Sequence, residues 1–183
     1  MMKGFAAGLA ALALAGCGIQ EAREGVTKQE ELLARVAIED LLSRYYQKLG
    51  SGNPAAFNEF YTGDAVLEVN GTVAEGRQEI EAIYAGAGND APADPGTFHM
   101  VLSNLVVDIE GDTATASMLW TGFDNSDLRG PPTIREQGRE YDLLVREGRD
   151  WRIKKRVVVA DSGLPASMAA SYDKRENYDI TAD

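Results

Sequence analysis

Two carboxylates, Glu140 and Asp142, lie two residues apart in a segment that is typical of one β-strand. Because side chains alternate between the faces of a strand, the two carboxylates share a face and lie about 6.5–7 Å apart. An apolar environment on that face would raise the pKa of at least one of them, since burial disfavours the charged form. The pair could therefore serve in acid–base chemistry.

The chain has one histidine, His99, and one cysteine, Cys17. A neutral imidazole can act as a base near physiological pH, although His99 could equally have a structural role at the start of a strand. A single histidine argues against a metal centre built from several histidines. A single cysteine excludes an intrachain disulfide and a cysteine-based zinc site. We therefore expect no metal site.

The carboxylates and the histidine lie in a block that predicts four strands. β-Branched and aromatic residues alternate with polar ones in this block, and clusters of Gly, Asp and Pro separate the runs. Short connections between successive strands predict an antiparallel meander. The predicted strands are Phe98–Ile109, Thr113–Phe123, Ile134–Arg146 and Trp151–Ala160.

The first half of the chain predicts helices that must cover one face of this sheet. A capping-box pattern begins a helix at Thr27 that runs to Leu49. Its apolar stripe includes Leu33, Ala37, Leu41 and Tyr45. The other predicted elements are a short helix from Pro54 to Gly63, strands Ala65–Val69 and Thr72–Ala74 joined by an Asn70-Gly71 turn, and a helix over Arg77–Ala85. The pattern predicts an α+β domain.

Composition and charge fit one acidic domain. The chain has 183 residues, 44% of them hydrophobic, which suits a single core. Its formal net charge of −11 opposes binding to nucleic acid or to anionic lipid surfaces through charge. Residues 86–96 predict a loop. Residues 161–183 are polar and lack periodicity, so they predict a flexible tail.

The N-terminal residues predict export. Met1–Lys3 carries a positive charge, and Gly4–Ala13 is an apolar run too short to span a bilayer, as in a signal peptide. The following Leu14-Ala15-Gly16-Cys17 resembles the lipobox of bacterial lipoproteins, in which the cysteine is lipidated and the peptide before it is removed. The alternatives are an ordinary signal peptide or an uncleaved anchor, with Cys17 incidental.

The lipobox resemblance implies a location and a domain layout. It predicts a signal peptide over residues 1–16, a lipid anchor at Cys17, and a tether over residues 17–26. The protein would lie in the bacterial cell envelope. Gly18 rather than Asp follows the cysteine, which favours the outer membrane, with the domain facing the periplasm.

Eight segments carry one resemblance: Glu31-Leu32-Leu33, Arg44-Tyr45-Tyr46, Phe60–Leu67, Glu75–Ile80, Phe98–Leu105, Glu110–Ala114, Tyr141–Arg146 and Trp151-Arg152-Ile153. Together they resemble the SnoaL-like branch of the nuclear transport factor 2-like superfamily. The resemblance covers Gln29 to Ala160 and implies a domain over residues 27–160. It also implies a cone-shaped fold in which a curved antiparallel sheet packs on three N-terminal helices around an apolar pocket.

The superfamily contains ketosteroid isomerases, polyketide cyclases, scytalone dehydratase and members without known activity, and the resemblance implies site residues. Tyr45 matches the isomerase tyrosine that donates to an oxyanion, and Asp142 matches the acid that is kept protonated beside it. His99 matches a histidine found in the pocket of many members. Val69 stands where the isomerases have their aspartate base, so that mechanism cannot run unchanged.

The same alignment places Arg156 on the inward side, where it could neutralise one of the two carboxylates. Glu140 and Arg156 could then be a structural ion pair, and Tyr45 could be a core residue. Glu140 is retained as a catalytic candidate beside Tyr45, His99 and Asp142. The implied ligand pocket is lined by Leu67, Val69, Trp120, Arg156 and Val158.

Three functions remain open from the sequence. The first is a cofactor-independent isomerase, dehydratase or cyclase that uses the four catalytic candidates. The second is a lipoprotein that binds a small apolar or carbonyl-bearing molecule without chemistry. The third is a structural module that forms a homodimer through the outer face of its sheet, as is common in the superfamily.

Overall fold

The computed structural model describes residues 17–49, 53–87, 98–125, 127–163, 172 and 178–182. The chain divides into two compact units, residues 1–34 and residues 35–183. The elements in chain order are helix α1 (Cys17–Lys48), a 3₁₀ helix (Pro54–Glu59), strands β1 (Tyr61–Val69) and β2 (Thr72–Glu75), helix α2 (Gly76–Ala87), and strands β3 (Phe98–Glu110), β4 (Thr113–Asp124), β5 (Thr133–Glu147) and β6 (Asp150–Ser162).

The strands form one curved, unclosed six-stranded sheet in the order β2-β1-β6-β5-β4-β3. β3 to β6 make the predicted antiparallel meander, and β1 joins β6 in parallel. The β1–β2 turn has positive φ angles at Asn70 (51°) and Gly71 (85°), as a two-residue hairpin requires. The α+β fold class therefore agrees with the sequence.

The helices differ in detail from the prediction. α1 begins at Cys17, so the stretch predicted as a tether lies within the helix. Its buried stripe begins at Ile38, whereas Leu33 and Ala37 are exposed. The segment after Asn53 forms only a 3₁₀ helix, and Tyr61 already begins β1.

Because side chains alternate in direction along each strand, the sheet has two faces. The face here called inner carries Leu67, Met118, Asp142 and Arg156, all of which are buried. On the outer face of β5 and β6, Val157 and Val159 pack with Ile180 of the C-terminal segment, and Tyr172 and Tyr178 lie against them. The sequence predicted a flexible tail here. Instead, these described C-terminal residues pack on the sheet and cover apolar side chains on the outer face of β6.

Some predicted features lie outside the described residues. They are the signal peptide over residues 1–16 and most of the loop over residues 86–96. Among the residues that the structure describes, no helix is long and apolar enough to cross a membrane.

Candidate functional site

Three charged side chains meet on the inner face, and all are fully buried: Glu140, Asp142 and Arg156. Register aligns Asp142 with Arg156 across the β5–β6 pair. The Arg156 guanidinium donates through Nε to Asp142 Oδ1 at 2.7 Å and through Nη2 to Oδ2 at 3.0 Å. Such a bidentate pair is among the stronger protein hydrogen-bond geometries. Nη2 also lies 2.9 Å from Glu140 Oε1.

Tyr45 and Tyr46, which are neighbours in α1, contact this group of charges. The guanidinium carbon of Arg156 lies 3.9 Å from the centre of the Tyr45 ring, a cation–π contact. The Tyr46 hydroxyl donates to Glu140 Oε2. We call these five residues the buried charge cluster. One turn of one helix thus provides both an aromatic face for the cation and a donor for the carboxyl.

Electrostatics make Glu140 the group that can change its protonation. Burial raises the pKa of Glu140 to about 8, the Arg156 charge opposes this rise, and the Asp142 charge adds to it. Burial opposes the charge of Arg156, yet Asp142 and Glu140 raise its pKa well above the ordinary value. One cation faces two carboxyl groups, so the cluster is neutral when Glu140 holds a proton.

The buried charge cluster does not satisfy all of its own polar atoms. Arg156 Nη1 has no hydrogen-bond acceptor among the described residues. Glu140 Oε1 is close to Nη2, but the pair is not aligned as a hydrogen bond, so charge alone joins them. A buried donor without an acceptor is unfavourable. Nη1 is therefore a donor that an acceptor oxygen of a bound molecule would satisfy.

Tyr61 and Tyr84 extend the site, and the sequence analysis did not single them out. The Tyr61 hydroxyl donates to that of Tyr45 at 3.3 Å and lies 2.9 Å from that of Tyr84. Burial raises the pKa of Tyr45, and raises those of Tyr61 and Tyr84 well above the ordinary value. These phenols therefore stay protonated. The sequence feature that could have indicated this extension is Tyr84 on the apolar face of α2.

His99 lies elsewhere. It is exposed and pairs with Phe123 on the outer face, and its Nδ1 is 3.1 Å from Asn125 Nδ2. A bulge between Ser103 and Val106 inserts one extra residue into β3 and so changes which face the preceding residues occupy. The structure brings Tyr45, Glu140 and Asp142 together but leaves His99 apart. Both oxygens of Asp142 accept hydrogen bonds from Arg156.

The predicted pocket residues lie on the inner face around the cluster. Leu67 is opposite Arg156, and Val69 is opposite Val158. Leu67 and Trp120 are buried, whereas Val69 and Val158 are only half-buried. The Trp120 indole packs against Gly138, where an added Cβ would be 2.3 Å from Trp120 Cζ2. The ring therefore forms an apolar floor beside Glu140.

The inner face is more open towards β3. Phe98, Met100 and Leu102 are half-buried there, opposite Asp124, Gly122 and Trp120. Phe98 lies against Gly122, since an added Cβ at that position would be 2.8 Å from Phe98 Cζ. We call Phe98, Met100, Leu102, Trp120 and Glu136 the open end. Apart from Glu136, it is an apolar surface with partial access, next to a fully enclosed group of charges.

Comparison with known proteins gives one family and many structures. The model of the SnoaL-like domain matches residues 30–157. An NTF2-like protein with a cystatin-like fold from Novosphingobium aromaticivorans superposes with a TM-score of 0.64 at 25% identity, over 80% of this chain and 93% of that one. No protein with curated annotation matches this chain.

Two further structures are similar in fold. A candidate scytalone dehydratase from Novosphingobium aromaticivorans has a TM-score of 0.59 at 18% identity, over 74% of this chain and 89% of that one. ActVI-ORFA from Streptomyces coelicolor has a TM-score of 0.61 at 18% identity, over 72% of this chain and 98% of that one. At this identity the likeness concerns the fold alone.

Proposed function

The chain belongs to the SnoaL-like domain family, and from this premise we propose that the open end binds a small, largely apolar molecule. The observation that carries the proposal is the partly accessible apolar surface of Met100 and Leu102 beside the enclosed charges. Ligand sites commonly combine an apolar lining with a few polar groups that fix orientation. For a molecule that reaches past the open end into the covered part of the inner face, the buried charge cluster would supply those polar groups.

The chemistry of the cluster favours a ligand with a carbonyl or similar oxygen. Arg156 Nη1 is a donor without an acceptor among the described residues. Glu140, with a pKa of about 8, could give or take a proton near neutral pH, as general acid–base catalysis requires. If the protein is an isomerase, dehydratase or cyclase, Glu140 rather than His99 is its acid–base group.

A matched pair of substitutions tests the binding proposal. Leu102→Arg puts a charge on the inner face at the open end, and Val101→Arg puts the same charge on the outer face of the same strand. With naphthol as an apolar probe and calorimetry as the readout, we expect the wild-type chain and Val101→Arg to bind it and Leu102→Arg to lose binding. Equal binding by both variants would contradict the proposal. Native mass spectrometry of the purified protein would reveal a co-purified molecule.

A second candidate function is a homodimeric module. Val101, Val106 and Leu119 are 49%, 54% and 36% exposed on the outer face, and exposed apolar patches often mark interaction surfaces. We propose that two copies pair through these residues. Light scattering at tens of micromolar should give a dimer mass for the wild type and for Leu102→Arg, and a monomer mass for Val101→Arg. A monomeric wild type would contradict the dimer.

We also propose that Cys17 carries the lipid anchor in a bacterial cell envelope. The support is the lipobox pattern of Leu14–Cys17, and the lipid would hold the protein to a membrane without a spanning helix. Cys17→Ser should abolish lipidation and leave a longer, unprocessed precursor. If the variant fractionates and migrates like the wild type, the anchor is elsewhere.

A further inference from the structure

The C-terminal segment, residues 178–182, covers one part of the outer face of the sheet. Ile180 is 6% exposed and packs with Val157 of β6. The centre of the Tyr178 ring lies 5.6 Å from that of Tyr141 on β5. The segment therefore places one layer of its own side chains over the apolar outer positions of β5 and β6.

Polar contacts fix the segment on this face. Lys155 of β6 donates through Nζ to the Tyr178 hydroxyl at 3.3 Å, and Nζ lies 5.9 Å from the centre of that ring. Asp179 Oδ1 accepts hydrogen bonds from the backbone N–H of Thr181 at 2.9 Å and from its hydroxyl at 2.7 Å. Within this local turn Asp179 and Thr181 are exposed, whereas Ile180 between them is buried. The turn thus presents the apolar side chain to the sheet.

The neighbouring part of the outer face, on β3 and β4, keeps Val101, Val106 and Leu119 exposed. These two strands contain 13 and 12 residues. At about 3.3 Å per residue and about 4.8 Å between strands, they present roughly 400 Å² of face. A standard protein interface takes about 800 Å² from each partner. The outer face of β3 to β6 together would supply about that area, but the C-terminal segment covers the half that β5 and β6 form.

We infer that the C-terminal segment and a second copy of the chain compete for the outer face of β5 and β6, so that the segment limits homodimerisation. The inference rests on the outer-face homodimer proposed above. A second sheet would pack about 10 Å from the first. The C-terminal segment already occupies that layer over β5 and β6, so two copies pair through all four strands only after each has released its segment.

Ile180→Asp tests this competition, because burying a charge disfavours the docked segment. If docking is favoured by only about 3:1, about a quarter of each copy is free to pair, and dimerisation of two copies is weaker by a factor on the order of 10. Sedimentation of the full chain over a dilution series should therefore give a dimer dissociation constant about tenfold lower for Ile180→Asp than for the wild type. Val36→Asp, which adds the same charge at an exposed position of α1, should keep the wild-type value.

A double variant separates specific pairing from non-specific association of the newly exposed side chains. Val101 lies on β3, outside the area that the C-terminal segment covers. Adding Val101→Arg to Ile180→Asp should therefore return the chain to a monomer mass. Association that persists in the double variant would overturn the inference, because the gain would not come from the outer face as a whole.

A second measurement uses the wild type and does not depend on the folding of Ile180→Asp. Competition is reciprocal, so pairing must also release the segment. Carboxypeptidase trimming of the C-terminus, followed by mass spectrometry, should become faster as the wild-type concentration rises through its dissociation constant. The reference is Val101→Arg at the same concentrations, which should remain monomeric. A wild-type rate that stays constant or falls relative to this reference would overturn the inference.

The outcomes separate the inference from the proposed homodimer. Unchanged or weaker association of Ile180→Asp overturns the inference, while a wild-type dimer still stands. A monomeric wild type with a dimeric Ile180→Asp contradicts the wild-type dimer but supports the inference, because the segment then blocks pairing. If both chains are monomers at tens of micromolar, the homodimer and the inference fail together.

Discussion

Two carboxyl groups on one strand, Glu136 and Glu140, share the inner face but have opposite surroundings. Glu140 is fully buried between Arg156 and the Tyr46 hydroxyl. Glu136 is half-buried against Phe98 and two glycines, without a hydrogen-bond donor among the described residues. The surroundings differ because α1 covers Glu140, whereas Glu136 lies at the open end. The same residue type therefore lies in a closed charge network at one place and at a partly accessible edge at the other.

This comparison also assigns different energetic roles to the two regions. The buried charge cluster is a closed network in which removing one member leaves charges without partners. The open end has few polar contacts, so changes there should alter binding more than stability. The predictions below test that division, from the largest expected effect to the smallest.

Arg156→Met should have the largest effect on stability. It removes the cation that binds both Asp142 oxygens and leaves a buried carboxylate unpaired, a situation that costs about 3–5 kcal/mol. Urea unfolding at neutral pH measures the loss. The double variant Arg156→Met with Asp142→Leu should recover part of it, because the uncompensated charge is then gone. A loss below about 1 kcal/mol for the single variant would mean that the pair is not buried.

Gly138→Ala should have an intermediate effect at the boundary of the two regions. The added methyl would lie 2.3 Å from both Trp120 Cζ2 and the Val159 carbonyl oxygen, so side chain and backbone must shift, at about 1–3 kcal/mol. Thermal unfolding and Trp120 fluorescence should both change. Gly63→Ala is the matched control, since nothing lies within 4 Å of its added methyl. Equal behaviour of the two variants would contradict the close packing of Trp120 on β5.

The sequence predicted the strands well and the site in part. The ends of β3 to β6 follow from local signals such as Glu110-Gly111-Asp112, and the shared face of Glu140 and Asp142 follows from alternation. The place of His99 did not follow. Counting back in twos from the buried Val107 would bring it to the inner face, but the bulge after Ser103 reverses the count. A bulge depends on pairing with β4, which a single strand's sequence does not reveal.

The C-terminal contacts were missed for a similar reason. Ile180 and Tyr178 are isolated among polar residues, so no periodicity marks them. The sequence feature that could have indicated these contacts lies in the sheet itself. Val157, Val159 and Leu143 place apolar side chains on the outer face of β5 and β6. Long-range packing of a short segment becomes visible only when both sides are known.

Protonation of Glu140 should make the free energy of unfolding depend on pH, with a smaller effect than the two substitutions above. Its pKa rises from an ordinary 4.5 to about 8 on folding, so the folded state binds the extra proton between these values. The stabilisation is complete below about pH 4.5 and is lost as the pH rises towards 8, with a slope on the order of 1 kcal/mol per pH unit. Urea unfolding between about pH 6 and about pH 8 measures this slope.

Glu140→Gln should remove that slope, because the amide cannot titrate. Glu147→Gln, at the exposed end of the same strand, should keep the wild-type slope and so controls for the loss of one acidic group. A wild-type slope that survives in Glu140→Gln would assign the proton to another residue and would weaken the contrast between the two regions.

The central claim is that the open end is a ligand site, and methionine methyl NMR tests it most directly. Met100 lies at the open end and Met118 lies beside Glu140, so the two methyl groups report on the two regions of one face. Met100→Leu and Met118→Leu variants assign the signals. Naphthol added to the full-length chain should shift the Met100 methyl resonance strongly and that of Met118 less, in step with binding. Saturable binding that leaves the Met100 resonance unmoved would contradict the claim.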